Sequence, residues 1–332
     1  MSDLFISLQG ASLHKDAENL VLKKDGEKIF DIELKNIDTI QIFGNIQIST
    51  QLLKDFMNRG IELAFYTIKG DLLGQLTPPL VKNIEIRYTQ YDLSKDEKFC
   101  LEFSKEIISL KFSNCIWFLE VCNKNRDDLN LVEELKHLRT WISKVAQAES
   151  FESLLGLEGS FSKEYFEVYG RLFKNPNFFN GRSKRPPKDE GNSILSFLYT
   201  LVTNRISAYM NGTGFDPYIG FYHKMDYGRM SLACDLVEPV RALFCDRVTL
   251  KIFNYHNFTS EDFEKTEEGF YLKEDSQKKF FYIYGKEFLS EYSYRHIHGT
   301  LQEYIEFLLK WLKACIKDKK VYSLEAFSEQ QK

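Results

Sequence analysis

A histidine and two acids in one short stretch of the chain have residue types and spacing that could do chemistry. His223 precedes a Gly228-Arg229 turn, and a run with helical apolar spacing follows. Asp235 and Glu238 are three residues apart, so a helix would project both carboxylates from nearly the same face. Carboxylates next to apolar side chains must be paired or coordinated, because desolvating an unpaired charge is costly. The stretch therefore predicts a site that binds a divalent metal ion.

Glu158 is a third candidate acid, preceded by leucines and bracketed by Gly156 and Gly159. Considered alone, it is typical of a solvated acid at the end of a helix. Its combination with His223 and Glu238 favours a functional role.

Simpler interpretations stay open for the histidine and the acid pair as well. His223 can be a structural histidine that hydrogen-bonds within the fold. Asp235 and Glu238 can form a salt-bridged helix face, with Arg229 and Arg241 as partners.

The segment from Arg171 to Lys188 is cationic and lies in a chain whose formal net charge is -4. With that overall charge, a nucleic acid must bind a local basic patch. Phenylalanines at 173, 178 and 179 beside the basic groups suit phosphate contact with base stacking, and a solvated surface loop is the alternative. The basic residues of this segment are Arg171, Lys174, Arg182, Lys184, Arg185 and Lys188.

The secondary structure that must position these residues is predicted to change along the chain from mainly strands to mainly helices. Residues 1–80 alternate like short strands, with one helix after Thr50, and predict a β-rich domain for packing or dimerisation. Thr77-Pro78-Pro79 marks a break, and we place a linker at 81–92. Residues 93–332 have mainly helical periodicity. The predicted fold class is thus α+β, an N-terminal β-rich domain followed by a larger, mainly α-helical catalytic domain.

Particular elements of the second domain are predicted as well. The helices are expected at Asp96–Lys111, within Leu129–Leu157, at Asn192–Asn211, at Asp246–Phe253 and at Ile297–Ile316, and a small hairpin is expected from strands at Gly269–Lys273 and Lys279–Tyr284. Pro239 should disturb its helix just after Glu238, because proline lacks the backbone N–H.

Composition excludes several classes of protein. The 332 residues are 43% hydrophobic and 28% charged, which is typical of a globular protein. Six cysteines without a C-x-x-C pair predict reduced thiols in place of a disulfide scaffold or zinc cluster. Because no signal-like or membrane-spanning run is present, we expect a cytoplasmic protein without a membrane partner.

Three motifs in this order resemble the CRISPR adaptation integrase family, the metal-dependent endonucleases that insert new spacers into CRISPR arrays. They cover roughly residues 150 to 250. The motifs are G-L-E-G-x-x-x-x-x-Y from Gly156 to Tyr165, G-F-D-P-x-x-G-F-Y-H from Gly214 to His223, and G-R-x-S-L-x-x-D-L-x-E-x-x-R from Gly228 to Arg241.

The resemblance implies a ligand set and a reaction. Glu158, His223 and Glu238 match the family's metal ligands, and Asp235 matches the acid beside the metal that shapes the site. Such carboxylate-rich sites suit Mg²⁺ or Mn²⁺. The implied reaction is phosphodiester transesterification, which integrates DNA when a 3′-OH attacks and cleaves it when water attacks.

The resemblance also implies partners, namely double-stranded and branched DNA, a second copy of the chain, and the small ferredoxin-like second adaptation protein. Two other functions stay open, a non-catalytic nucleic-acid scaffold and a metallo-phosphodiesterase acting on small esters. The residues that we expect to contact DNA or its phosphates are Tyr165, Arg182, Lys184, Arg185, Lys188, Arg229 and Arg241.

Overall fold

A computed structural model describes residues 2–68, 70, 72–76, 83–184 and 186–330. The predicted break at Thr77-Pro78-Pro79, the first two residues of the predicted linker and Arg185 lie outside these residues. The chain divides into two compact units. The strand-rich unit comprises Met1–Val81 with Leu272–Gly285, and the helical unit comprises Lys82–Tyr271 with Lys286–Lys332. Most of the predicted linker forms a helix, Ile84–Leu93.

The strand-rich unit contains two four-stranded sheets, with strand orders β1-β5-β7-β8 and β4-β3-β2-β6. In the first sheet β1, β5 and β7 run parallel, and β8 is antiparallel to β7. The helix begins one residue earlier than predicted, because the Ser49 hydroxyl accepts from the Leu52 amide at 3.3 Å. The elements are β1 Ser2–Ile6, β2 Ser12–Asp16, β3 Asn19–Lys24, β4 Glu27–Glu33, β5 Ile37–Phe43, β6 Gln47–Ile48, α1 Thr50–Arg59, β7 Glu62–Tyr66 and β8 Leu72–Leu76.

The remainder of the chain is mainly helical, so the predicted α+β class is confirmed. None of the helices in the described ranges is long and apolar enough to span a bilayer. The elements are α2 Ile84–Leu93, α3 Glu97–Lys124, α4 Val132–Ala146, α5 Phe151–Gly170, α6 Glu190–Thr213, α7 Ser231–Val240, α8 Arg247–Asn254, β9 Phe263–Thr266, β10 Gly269–Leu272, α9 Glu274–Leu289, β11 Tyr292–Tyr294, β12 Ile297–Gly299, α10 Leu301–Asp318 and α11 Leu324–Gln330.

Several predicted elements of this part were wrong in type or extent. Helix α3 continues past the predicted end at Lys111 to Lys124, and α5 continues past Leu157 to Gly170. The predicted strand Lys279–Tyr284 lies inside α9, and β10 pairs with β9. Residues 297–299 form strand β12, and α10 begins only at Leu301, where Thr300 and Glu303 form a capping box. Helix α6 continues past Asn211 to Thr213 and is capped by Gly214, which has a φ of 96°.

The chain after Glu238 does not continue as a regular α-helix. Pro239 lacks a backbone N–H, and a π-helical turn, Arg241–Asp246, separates α7 from α8. The Asn114 amide of α3 donates to the Pro239 carbonyl at 2.8 Å. The predicted disturbance is thus a widened turn, and π turns of this kind are frequent at functional sites.

Candidate metal centre

Two of the predicted ligands meet at a lysine that the sequence did not single out. Glu158 lies in the middle of α5, which corrects its predicted place at a helix end, and Glu238 lies near the end of α7. Both helices pack against α3, which carries Lys111. Nζ of Lys111 forms an ion pair with Oε1 of Glu158 and lies 2.8 Å from Oε2 of Glu238. The two carboxylates therefore converge on one cation.

These charged groups are largely removed from solvent. The Glu238 side chain is 1% exposed, that of Lys111 is 9% exposed and that of Glu158 is 19% exposed. Nη2 of Arg241 lies 3.0 Å from Oε1 of Glu238. Oε2 of Glu238 receives no well-aligned hydrogen bond, although the Lys111 ammonium is near. The Lys111 ammonium is thus the cation that neutralises this buried oxygen.

The local charges keep both carboxylates ionised. Burial by itself raises the pKa of Glu158, but the charge and hydrogen bond of Lys111 outweigh it and lower the pKa to about 2. Burial also raises the pKa of Glu238, and the charges of Arg241 and Lys111 reverse this, so that its pKa is lowered. Ionised carboxylates are the form that binds hard metal ions.

Asp235 positions the histidine. It is fully buried, and its carboxylate accepts the backbone N–H groups of Phe221, Tyr222 and His223 at 2.8, 3.1 and 2.9 Å. Nδ1 of His223 lies 2.7 Å from Oδ1 of Asp235. Because Nδ1 is used in this contact, Nε2 is the ring nitrogen that can bind a ligand. Asp235 therefore acts by orienting the imidazole.

The loop that carries His223 is held from two sides. The Gln90 side chain donates to the carbonyls of Asp216 and Ile219, both at 2.8 Å, and accepts the Asp216 N–H at 3.0 Å. Gly220 is required by a close approach, because a Cβ there would lie 2.8 Å from Cβ of Ser231. The loop thus has little freedom to move away from α7.

The predicted ligands fit a divalent metal by their chemistry. Two carboxylates already share one cation position, and Glu238 has an oxygen without an aligned donor. The Tyr222 hydroxyl donates to Glu158 at 2.5 Å, and its ring is centred 4.9 Å from the neighbouring His223 ring. Across the described ranges, however, no three His, Cys, Asp or Glu side chains are grouped closely enough to hold a metal. Lys111 occupies the position between the acids.

A cavity of about 460 Å³ is lined by Glu158 but not by Glu238, and Lys111, Arg182, Lys184 and Arg241 are among the residues that contribute cationic groups to its wall. Its aromatic wall includes Tyr165. The full lining is Lys111, Cys115, Leu155, Glu158, Gly159, Phe161, Ser162, Lys163, Tyr165, Phe166, Glu167, Gly181, Arg182, Lys184, Tyr199, Arg241 and Asp246.

The residues predicted to contact DNA differ in their surroundings. Lys184, Lys188 and Arg229 are exposed. Arg182 is half-buried, its guanidinium donates to Asn192 at 2.8 Å, and burial lowers its pKa. Arg182 is therefore already engaged within the protein. Contact of Arg182 with the DNA backbone stays a prediction. The same holds for the exposed residues Lys184, Lys188 and Arg229.

Tyr165 is buried and hydrogen-bonded to Asp246, an acid that was not among the predicted site residues. Its hydroxyl donates to Asp246 at 2.7 Å, and the Tyr199 hydroxyl donates to the other oxygen at 2.6 Å. Burial raises the pKa of Asp246, although these hydroxyls oppose the shift. The predicted stacking phenylalanines Phe173 and Phe179 are also buried and stack on each other, so they do not offer faces to a base.

Lys111 could have been noticed from the sequence, because it interrupts an apolar stretch between Leu110 and Phe112. Both neighbours are buried. A lysine in such a stretch indicates a buried acid elsewhere in the chain.

The chain is similar in sequence and in fold to several known proteins. The model of the family "CRISPR associated protein Cas1" matches residues 4–286. A CRISPR-associated endonuclease Cas1 from Thermodesulfovibrio yellowstonii is 36% identical over 289 residues, 86% of this chain and 90% of the relative. A casposase bound to an integration product has a TM-score of 0.85 at 22% identity, over 98% of this chain and 93% of that chain. A chain of a Cas6-RT-Cas1–Cas2 complex has a TM-score of 0.78 at 22% identity, over 98% of this chain and 36% of that chain.

Proposed function

This chain belongs to the Cas1 family of CRISPR-associated proteins, and on that premise we propose that it is a metal-dependent DNA endonuclease and integrase of CRISPR adaptation. The observation that carries the proposal is the convergence of Glu158 and Glu238 on one cation position. A non-catalytic scaffold would not need two acids from separate helices to meet at one cation position.

Glu158, Glu238 and Nε2 of His223 would hold Mg²⁺ or Mn²⁺. Such an ion polarises a phosphodiester, lowers the pKa of an attacking hydroxyl and stabilises the charge of the transition state. Asp235 keeps the imidazole in the tautomer that presents Nε2. Arg241 holds Glu238 in place through its 3.0 Å ion pair. The protein thereby keeps its ligands ionised and oriented before substrate binds.

The cationic wall of the cavity supports a phosphate-bearing substrate. Lys184 and Arg241 line it next to Glu158, and Lys188 and Arg229 are exposed elsewhere in the helical unit. Positive groups of this kind bind the DNA backbone without regard to sequence. We propose that double-stranded and branched DNA are the substrates, and that transesterification by a DNA 3′-OH inserts spacer DNA.

We further propose two protein partners, a second copy of this chain and the small ferredoxin-like second adaptation protein. The family resemblance supports both. A solved complex of the same fold contains a Cas1 and a Cas2 component by its description, which agrees with the second proposal.

The decisive experiment is nicking of branched DNA with Mn²⁺. We expect Glu158→Ala, His223→Ala and Glu238→Ala each to abolish nicking and strand transfer, because each removes one ligand. Glu152→Ala, an exposed acid on the same helix α5, is the matched control and should retain activity. Unchanged nicking in all three ligand variants would overturn the proposal. If the protein hydrolyses a small chromogenic phosphodiester as fast as it cleaves DNA, the alternative function, a metallo-phosphodiesterase acting on small esters, is favoured.

A further inference from the structure

We propose that Lys111 is a built-in counter-cation that occupies the acid pair in the metal-free protein and must be displaced when a divalent metal binds. The inference rests on the proposed function and deepens it, because it assigns a role to a residue outside the predicted ligand set. Its basis is the position of one ammonium between two carboxylates from separate helices.

The contacts of Lys111 are specific for the two acids. Its Nζ donates to Oε1 of Glu158 and lies 2.8 Å from Oε2 of Glu238. The lysine lies on α3, its sequence neighbours Leu110 and Phe112 are buried, and its own side chain is 9% exposed. An ammonium in such surroundings is stable only when it is paired. The same holds for the carboxylates, so lysine and acids stabilise one another in the absence of metal.

The balance of charge determines what a metal ion would encounter. Glu158 and Glu238 carry two negative charges, and Lys111 and Arg241 carry two positive charges, so this group is neutral without metal. A divalent ion bound to both carboxylates cannot share their oxygens with the ammonium, because like charges at contact distance repel strongly. Metal binding therefore requires Nζ to leave at least one of the acids.

The cavity beside Glu158 provides space into which the displaced ammonium can move. Lys111 lines it together with Lys184 and Arg241, which makes it a site for negative phosphate groups. A DNA phosphate in the cavity would pair with the released ammonium. Lys111 thus links metal binding to phosphate binding, and metal should bind more weakly to the free protein than to its complex with DNA.

The test measures metal binding and stability, without any assay of activity. In Lys111→Met, titration calorimetry with Mn²⁺ and no DNA should give a Kd lower by about tenfold or more, because the competing charge is absent. Chemical unfolding in EDTA should show a less stable protein, and Mn²⁺ should restore more stability to the variant than to the wild type. Lys105→Met is the matched control, since Lys105 lies on the same helix and contacts the Ala146 carbonyl. It should leave the Kd unchanged.

The outcomes separate this inference from the proposed function. If the wild type binds Mn²⁺ and Lys111→Met has the same Kd and the same stability in EDTA, the counter-cation role is overturned and the metal site stands. If neither the wild type nor Lys111→Met binds Mn²⁺, the proposed metal site is wrong. The inference is then wrong as well, because it rests on that site.

A second variant keeps the test decisive if Lys111→Met does not fold. Lys111→Met combined with Glu158→Gln removes one charge of each sign and keeps the Glu238–Arg241 ion pair, so it should fold in EDTA and bind Mn²⁺ more weakly than the wild type. Failure of the double variant to fold would show that the lysine acts through packing, which contradicts the proposal.

Discussion

The hydroxyl of Tyr222 lies 2.5 Å from Oε2 of Glu158, so the residue directly before His223 is bonded to the acid on α5. This contact ties the loop of one predicted ligand to the helix of another. The buried phenol also has its pKa raised, first by burial and then by the neighbouring Glu158 charge, so it remains a hydrogen-bond donor at neutral pH. The hydrogen bond therefore holds the loop before His223 against α5.

Asp235→Asn should reduce nicking because His223 loses its orientation, and not because a metal ligand is removed. An amide in this place cannot accept all three loop N–H groups and also the imidazole, so the ring loses its orientation. We expect the rate to fall by about 10- to 100-fold and the free energy of unfolding to fall by about 1–3 kcal/mol. Nicking kinetics and urea unfolding measure the two effects.

The matched control for this variant is Asp226→Asn, an exposed acid in the same loop. It should change neither quantity. A variant Asp235→Asn with full nicking activity would contradict the positioning role of Asp235.

Gly220→Ala should weaken both the fold and the reaction. The added methyl would lie 2.8 Å from both Cβ and the carbonyl carbon of Ser231, and 3.0 Å from Oδ2 of Asp235. Backbone atoms must then move, and overpacking of this kind costs about 1–3 kcal/mol. Thermal unfolding and nicking kinetics provide the measurement. Gly212→Ala, in helix α6 with no atom within 4 Å of the added methyl, should be tolerated.

The Glu158–Lys111 pair should make metal-free stability depend on pH. The pKa of Glu158 in the folded protein is about 2, below its ordinary value of 4.5. The stabilisation is therefore fully present above about pH 4.5 and is lost as pH falls towards 2. Glu158→Gln should be less stable than the wild type at neutral pH, by on the order of 3 kcal/mol, and the difference should shrink on acidification.

Urea unfolding in EDTA at neutral pH and at about pH 3 tests this dependence. The exposed acid Glu152 of the same helix serves as the control, because Glu152→Gln should follow the wild type at both values. A constant difference between Glu158→Gln and the wild type across this range would mean that the pair does not stabilise the fold electrostatically.

Lys184→Ala combined with Lys188→Ala should weaken DNA binding in a salt-dependent way. Both lysines are exposed, and each phosphate contact contributes about 0.9 to the slope of log K against log salt on duplex DNA. Loss of two contacts should lower the slope by roughly 2. Fluorescence anisotropy at several salt concentrations measures it. The exposed pair Lys310 and Lys317 on α10 is the charge-matched control, and an equal effect there would show nonspecific attraction only.

Several local features were predictable because they depend on near neighbours in the chain. The hairpin turn between β3 and β4, the end of α1 at Gly60 and most of α6 follow from turn, cap and periodicity signals. The aromatic run Lys279–Tyr284 was misassigned, because a short apolar run does not distinguish a strand from a buried helix. Glu158 was misplaced for a related reason, since Gly156 and Gly159 lie inside α5 where packing outweighs their low helix propensity.

The amino-acid sequence by itself determined the acid pair on α7, the loop that presents His223 and the family resemblance, all of which depend on spacing along the chain. Only the tertiary structure decided which cation neutralises the acids, because Lys111 is 47 residues from Glu158 in sequence. It also decided that Asp235 orients His223 and that Tyr165 bonds Asp246 inside the protein. Ion pairs and hydrogen bonds act over distances in space, and packing of α3, α5 and α7 sets those distances.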